Sequence, residues 1–177
     1  MPPASRRLWC VKLFPSPKAN NADTLIGAVG AALGMAITWL VSDALLDGVA
    51  PILVLSMGAS AVILFTMPTA PTAQPVPVIL AHCVAAFLGV VSSQLFDNTA
   101  LAVGVAVGVH AGLMVRLGYM HPPSGGTALT AIIGGDAVTD LGITFIWRPV
   151  LLNAALLVLL AIILNAPFER RRYPTRT

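Results

Sequence analysis

From Thr24 onward the chain alternates long apolar runs with short polar interruptions. Thr24–Ser42, Gly48–Phe96, Asn98–Val115 and Pro149–Phe168 contain no Asp, Glu, Lys or Arg. A helix needs about 20 mostly apolar residues to cross the hydrocarbon core. These runs therefore hold at least four spans, and the second is long enough for two. The predicted segments are S1 (Thr24–Val41), S2 (Val49–Met67), S3 (Pro77–Phe96), S4 (Thr99–Val115) and S6 (Ile143–Asn165), with a Gly- and Pro-rich uncharged stretch, S5 (Leu117–Gly135), between S4 and S6.

Composition turns this pattern into a membrane assignment. The 177 residues are 57% hydrophobic and 10% charged, with a mean hydropathy of +0.88, against roughly 25% charged residues in soluble domains. Water cannot hide so much apolar surface. The first twenty residues carry Arg6, Arg7, Lys12 and Lys18 with several prolines, which does not fit a secretory signal. They read as a basic tail, or as a short interfacial segment around Leu8, Trp9, Val11, Leu13 and Phe14. Cys10 and Cys83 say little; Cys83 reads as a small apolar residue in S3.

The signs of the charges predict topology. The N-terminal tail, Arg116 and Arg170, Arg171, Arg172 and Arg176 are basic, whereas the connections hold Asp43, Asp47, Asp97, Asp136 and Asp140. Cytoplasmic segments attract Lys and Arg, so both tails are expected in the cytoplasm, at the cell (inner) membrane. That requires an even number of crossings, and six segments satisfy it. Arg148 is the one basic residue left outside. The expected organisation is a basic tail (1–22), one transmembrane domain (23–166) and a second basic tail (167–177).

Sliding the chain against itself yields three ordered matches. Ala28–Gly34 resembles Ala102–Gly108, Gly58–Val62 resembles Gly125–Leu129, and Pro77–Leu80 resembles Pro149–Leu152, at offsets of 74, 67 and 72 residues. Two units, about 24–96 and 98–165, each of three segments, must insert with opposite orientation. That is an inverted-topology repeat, as in secondary transporters. The expected fold is thus an all-α membrane protein of six membrane-depth segments in a 3+3 inverted repeat. Gly30 and Gly34 in S1, and Gly104, Gly108 and Gly112 in S4, suit generic helix packing, contact between the halves, or a homo-oligomer seam.

Two segments are expected to be broken. In S5, Pro122 and Pro123 fit a helix start and not its interior, with Ser124 or Thr127 as cap. A half-helix over 124–133 follows, beginning near mid-membrane. S2 reads likewise, with a start at Gly58, Ala59 and Ser60 and a proline-spaced, non-helical connection over 68–75. Paired half-helix N-termini offer N–H groups and partial positive charge, which suits a small anion. The candidate substrate-binding residues are Gly58, Ala59, Ser60, His121, Pro122, Pro123, Ser124, Gly125, Gly126 and Thr127. The alternative is that these glycines and prolines only kink helices for packing.

The stretch Met120-His-Pro-Pro-Ser-Gly-Gly-Thr-Ala-Leu129 resembles the signature of the HPP family of integral membrane proteins. Gly58-Ala-Ser-Ala-Val62, and Ala73-Gln-Pro75 followed by His82, are similar to that family's pattern, with Ala81 where the family usually has Gly. The resemblance implies four transmembrane helices. It also implies a nitrite-like anion as substrate, since some members have been linked to nitrite transport.

The remaining polar residues have open roles. His121 lines a pathway or locks its turn by bonding backbone. His82 and Asn153, near matching positions of S3 and S6, flank a central site or hydrogen-bond the broken segments. His110 reads as a helix–helix hydrogen bond. Arg148 pairs with Asp136 or Asp140, or draws anions to an entrance. The histidines lack metal-ligand spacing and no nucleophile, base and acid recur together, so neither enzyme, metal nor cofactor is expected. The expected partners are the lipid bilayer, a small inorganic anion and further copies of the chain, without nucleic acid. The competing function is a non-transporting membrane scaffold or sensor subunit.

Overall fold

The computed structural model describes residues 20–46 and 50–175. The basic segment before residue 20, with Cys10, together with Asp47 and Arg176, lies outside the described residues. Among those described, all regular structure is helical: α1 (Asn21–Leu46), α2 (Ala50–Thr66), α3 (Pro75–Leu95), α4 (Thr99–Leu117), α5 (Gly125–Ile133), α6 (Asp136–Thr139) and α7 (Leu152–Asn165). A π-helical turn, Ile146–Leu151, runs directly into α7 and absorbs Pro149, which has no N–H to give an α-helical ladder.

Among the described residues, four helices are long and apolar enough to cross a membrane: Asn21–Leu45, Pro75–Leu95, Thr99–Leu117 and Ile146–Asn165. They correspond to S1, S3, S4 and S6. The other two predicted segments are shorter helices. In S5 a 3-10 turn at Pro122–Ser124 leads into the nine residues of α5, so the helix there is roughly 14 Å long. S2 differs from expectation. Helix α2 runs unbroken from Ala50 to Thr66 and passes straight through Gly58, Ala59 and Ser60. A Gly-Ala-Ser sequence is no breaker when each residue keeps its N–H and its place in the ladder, and glycine is common in membrane helices. Only one of the two expected half-helices exists.

Packing is built on glycine and alanine. In α1, Gly30 and Gly34 both lie against the buried Phe65 ring of α2, so this stripe serves contact within the first half. In α4, Gly104, Gly108 and Gly112 have no neighbouring atoms within 4 Å of an added Cβ. Gly89 of α3 brings its backbone against α5, where a Cβ would stand 2.6 Å from the Ala128 carbonyl oxygen and 2.7 Å from Ala131 Cβ.

The 3-10 turn Glu169–Arg171 fastens three helix ends. Arg171, 5% exposed, donates to the Phe65 carbonyl at the end of α2, to Asn165 Oδ1 at 3.2 Å and to the Asp23 carbonyl at 3.4 Å. Its guanidinium also lies 3.8 Å from the Asp23 carboxylate, the single ion pair among the described residues. The Arg148 pairing with Asp136 or Asp140 does not form: Arg148 is exposed, and a solvent-facing pair gains too little to hold two side chains together. The connection at 68–75 is tied by Gln74, which donates to the Pro68 and Ala70 carbonyls, each at 3.0 Å, and accepts from the Thr175 N–H at 2.9 Å.

Candidate functional site

The fold gathers several buried polar side chains, from α2, α3, α5 and the turn before α5, into one cluster. Ser56 and Ser60 lie one turn apart on α2, and His82 lies seven residues into α3, roughly 10 Å from the helix start. His121 precedes the α5 turn, and Thr127 lies in the first turn of α5. Ser60, His82, His121 and Thr127 are each at most 1% exposed.

Their contacts form a chain. The Ser60 hydroxyl lies 2.8 Å from His82 Nε2 and 2.9 Å from His121 Nε2. The other His82 nitrogen, Nδ1, is 2.7 Å from Thr127 Oγ1, which in turn is 3.1 Å from Ser56 Oγ. The other His121 nitrogen is 2.7 Å from the Thr72 carbonyl oxygen in the 68–75 connection. The two imidazole rings are tilted by 56°, with centroids 5.2 Å apart. A branch begins at Ser124, whose hydroxyl donates to the His121 carbonyl at 2.6 Å and lies 2.7 Å from His110 Nε2 of α4.

This geometry distributes the sequence-predicted residues differently from a helix-terminus site. Ser124 is the N-cap of α5 but makes no side-chain cap bond, because its hydroxyl serves the His121 carbonyl. Nor does Thr127 cap, since it serves His82. Pro122 and Pro123 have no N–H; the Ser124 N–H donates to the His121 carbonyl and the Gly125 N–H to the Pro122 carbonyl. The α5 terminus therefore presents few free donors, and chemistry passes to side chains. Gly58 and Ala59 sit inside α2 and offer no free N–H. Asn153 lies apart from His82, accepting from Ser42 and tying α7 to α1. His121 does bond backbone, but that of the distant 68–75 connection and not of its own turn. His110 makes the interhelical bond expected of it, with a partner that leads back to His121.

Beside the cluster a cleft of about 380 Å³ opens between α2 and α5, lined by Ser56, Ala59, Pro123, Gly126, Leu129 and Thr130. An added Cβ on Gly126 would stand 3.3 Å from Ser56 Cβ, so this glycine sets the width of the cleft beside Ser56. Ser56 belongs both to the cleft wall and to the polar chain. Among the described residues, no three His, Cys, Asp or Glu side chains converge in a way that would hold a metal ion.

The family model for the HPP transmembrane region matches residues 16–174. The chain belongs to the HPP family. Its curated relatives include two transmembrane proteins of Dictyostelium discoideum. One is 34% identical over 133 residues, covering 73% of this chain and 46% of the relative. The other is 34% identical over 128 residues, covering 67% and 39%. The chain thus spans less than half the length of these relatives. No solved structure matches. Together with its apolar helices, this membership makes the protein an integral membrane protein, and the HPP signature residue His121 is the one that joins the 68–75 connection to Ser60.

Proposed function

We propose that this HPP protein transports a small monovalent oxoanion such as nitrite, using the hydroxyl–histidine cluster beside the α2–α5 cleft. The cluster is the observation that carries the reading. Polar side chains at membrane depth are costly and mark pathways for ions and protons. Non-helical backbone at that depth, here the lead-in to α5, is tolerated where protein buries it or a cavity wets it. The uncharged stretches contain no Asp or Glu, so the site offers hydroxyl and imidazole donors and lacks the carboxylates a cation would require. The choice of nitrite follows the activity linked to other HPP members.

An inverted repeat is the framework of this proposal. It is supported by matching neighbours: α1 packs on α2 as α4 does on α5, α3 on α4 as α7 does on α1, and α3 on α5 as α7 does on α2. Ser60 and Thr127 are also equivalent at the 67-residue offset, and they hold opposite nitrogens of His82. The proposed assembly is a homo-oligomer in the cell (inner) membrane, with both termini in the cytoplasm and copies meeting on the open glycine face of α4.

Anion flux into liposomes containing purified protein is the test. Nitrite uptake well above that of protein-free vesicles is expected, and Gly126→Leu, which fills the cleft against Ser56, is expected to abolish it while leaving assembly intact. Absence of nitrite, nitrate, formate and chloride flux under both voltage signs leaves the scaffold or sensor reading in its place.

A further inference from the structure

We propose that the His82–His121 pair takes up one proton with each anion, so that passage is proton-coupled. This inference rests on the transport reading and adds the co-ion to it.

Counting hydrogens carries the argument. Five hydrogen bonds link the Thr72 carbonyl, His121, Ser60, His82, Thr127 and Ser56 in sequence, and each requires one proton. A carbonyl only accepts, so His121 carries hydrogen on Nδ1, and in a neutral ring its Nε2 is then a bare acceptor. The single Ser60 proton goes there. His82 must consequently donate to Ser60 from Nε2, and in a neutral ring its Nδ1 is bare. Thr127 then gives its proton to His82, and its contact with Ser56 needs a further proton. If Thr127 instead donates to Ser56, His82 must be protonated on both nitrogens. The two arrangements use the same heavy-atom positions and differ by one proton and the rotation of hydroxyl hydrogens. The 3.2 Å approach of the Ser60 hydroxyl to the Ser56 carbonyl draws on the same Ser60 proton and raises the demand for another.

A second observation gives that proton its role. An anion at this depth needs a counter-charge, and the uncharged stretches contain no Lys or Arg. The α5 terminus has little to offer, since two of its residues are prolines and the next two N–H groups are engaged. The titratable neighbours of the pair are His110 on α4, behind Ser124, and Cys83 beside His82. The α2, α5 and 68–75 segments bring serine and threonine hydroxyls, α7 has no ionisable residue, and Arg148 in the preceding turn is exposed. An imidazolium is therefore the available cation. Burying an isolated charge is costly, so proton and anion each lower the other's cost and bind together. The proton forms an N–H bond on His82 or His121 as the anion arrives from water, and returns to water as the anion leaves.

Wild-type protein in liposomes with an internal pH-reporting dye tests this under a nitrite gradient, with protein-free vesicles as the baseline for nitrous acid leak. The expected result is one proton per nitrite and no membrane current, with at least a tenfold loss of both fluxes in His82→Gln. Nitrogen-15 NMR of histidine-labelled protein in bilayers gives an independent measure. The chain has three histidines, assignable through His110→Gln and His82→Gln, and saturating nitrite is expected to raise the imidazolium signal of His82 or His121. Nitrite flux that carries current without protons overturns the coupling and leaves transport standing. Both rings neutral under saturating nitrite likewise overturns the coupling. Imidazolium formation without any flux refutes transport while retaining joint binding of proton and anion.

Discussion

At the scale of single residues, the glycines divide into those that touch and those that do not. Gly89→Ala drives a methyl group into the Ala128 carbonyl and Ala131. Both obstacles are short and rigid, so the helices must separate. The expected destabilisation is about 1–3 kcal/mol, read as a lowered unfolding midpoint in detergent. Gly108→Ala meets nothing within 4 Å among the described residues and gains helix propensity worth up to about 1 kcal/mol; equal losses in the two variants would refute this packing. The sequence marked Ser60, His121 and Thr127 as site residues through their neighbouring glycines and prolines. That their side chains meet, through His82, was not legible. The contact of Ser60 with His82 depends on which faces of α2 and α3 turn inward, and apolar sequences with hydrophobic residues all round carry little information about facing.

Among the elements, the prolines told the truth where they stood at a helix start and the glycines misled where they stood alone. Pro122-Pro123 did mark the short α5, because two residues without N–H cannot sit in a helix interior. Gly58-Ala-Ser60 was read as an equivalent break by analogy along the repeat, yet α2 has no proline there and keeps its ladder. The role of Arg171 was equally hidden. Counted as one of several basic tail residues, it is instead buried and holds the ends of α1, α2 and α7. Arg171→Gln is expected to cost roughly 1–3 kcal/mol, the usual penalty for leaving buried acceptors unpaired. Limited proteolysis should then cut after Asn165 far faster than in wild type; unchanged protection would mean that the clamp contributes nothing to order.

For the molecule as a whole, the charge pattern implied six segments where the family resemblance implied four helices. Among the described residues four helices satisfy the length requirement, α2 and α5 are shorter, and six crossings belong to the proposed topology. The proposed topology is testable through Asp97→Cys and Asp140→Cys, in protein whose native cysteines are replaced, using a membrane-impermeant thiol reagent. Labelling of both from the side opposite the C-terminus is expected, and labelling of either from the C-terminal side refutes the arrangement. The mass of the detergent-solubilised particle, compared between wild type and Gly108→Leu, reports whether copies meet on α4.

The close approach at Gly89 has a mechanical consequence. Backbone packed directly on backbone, without an intervening side chain, leaves no slack for sliding, so α3 and α5 behave as one stiff body. Helix α2 meets that body across the cleft through hydroxyls and the small surface of Gly126, contacts that rupture and reform cheaply. In the transport proposed above, a stroke that alternately exposes the cluster shears along the α2 side. Ser60, carried on α2 and bonded to both histidines, is the contact that such a stroke makes and breaks.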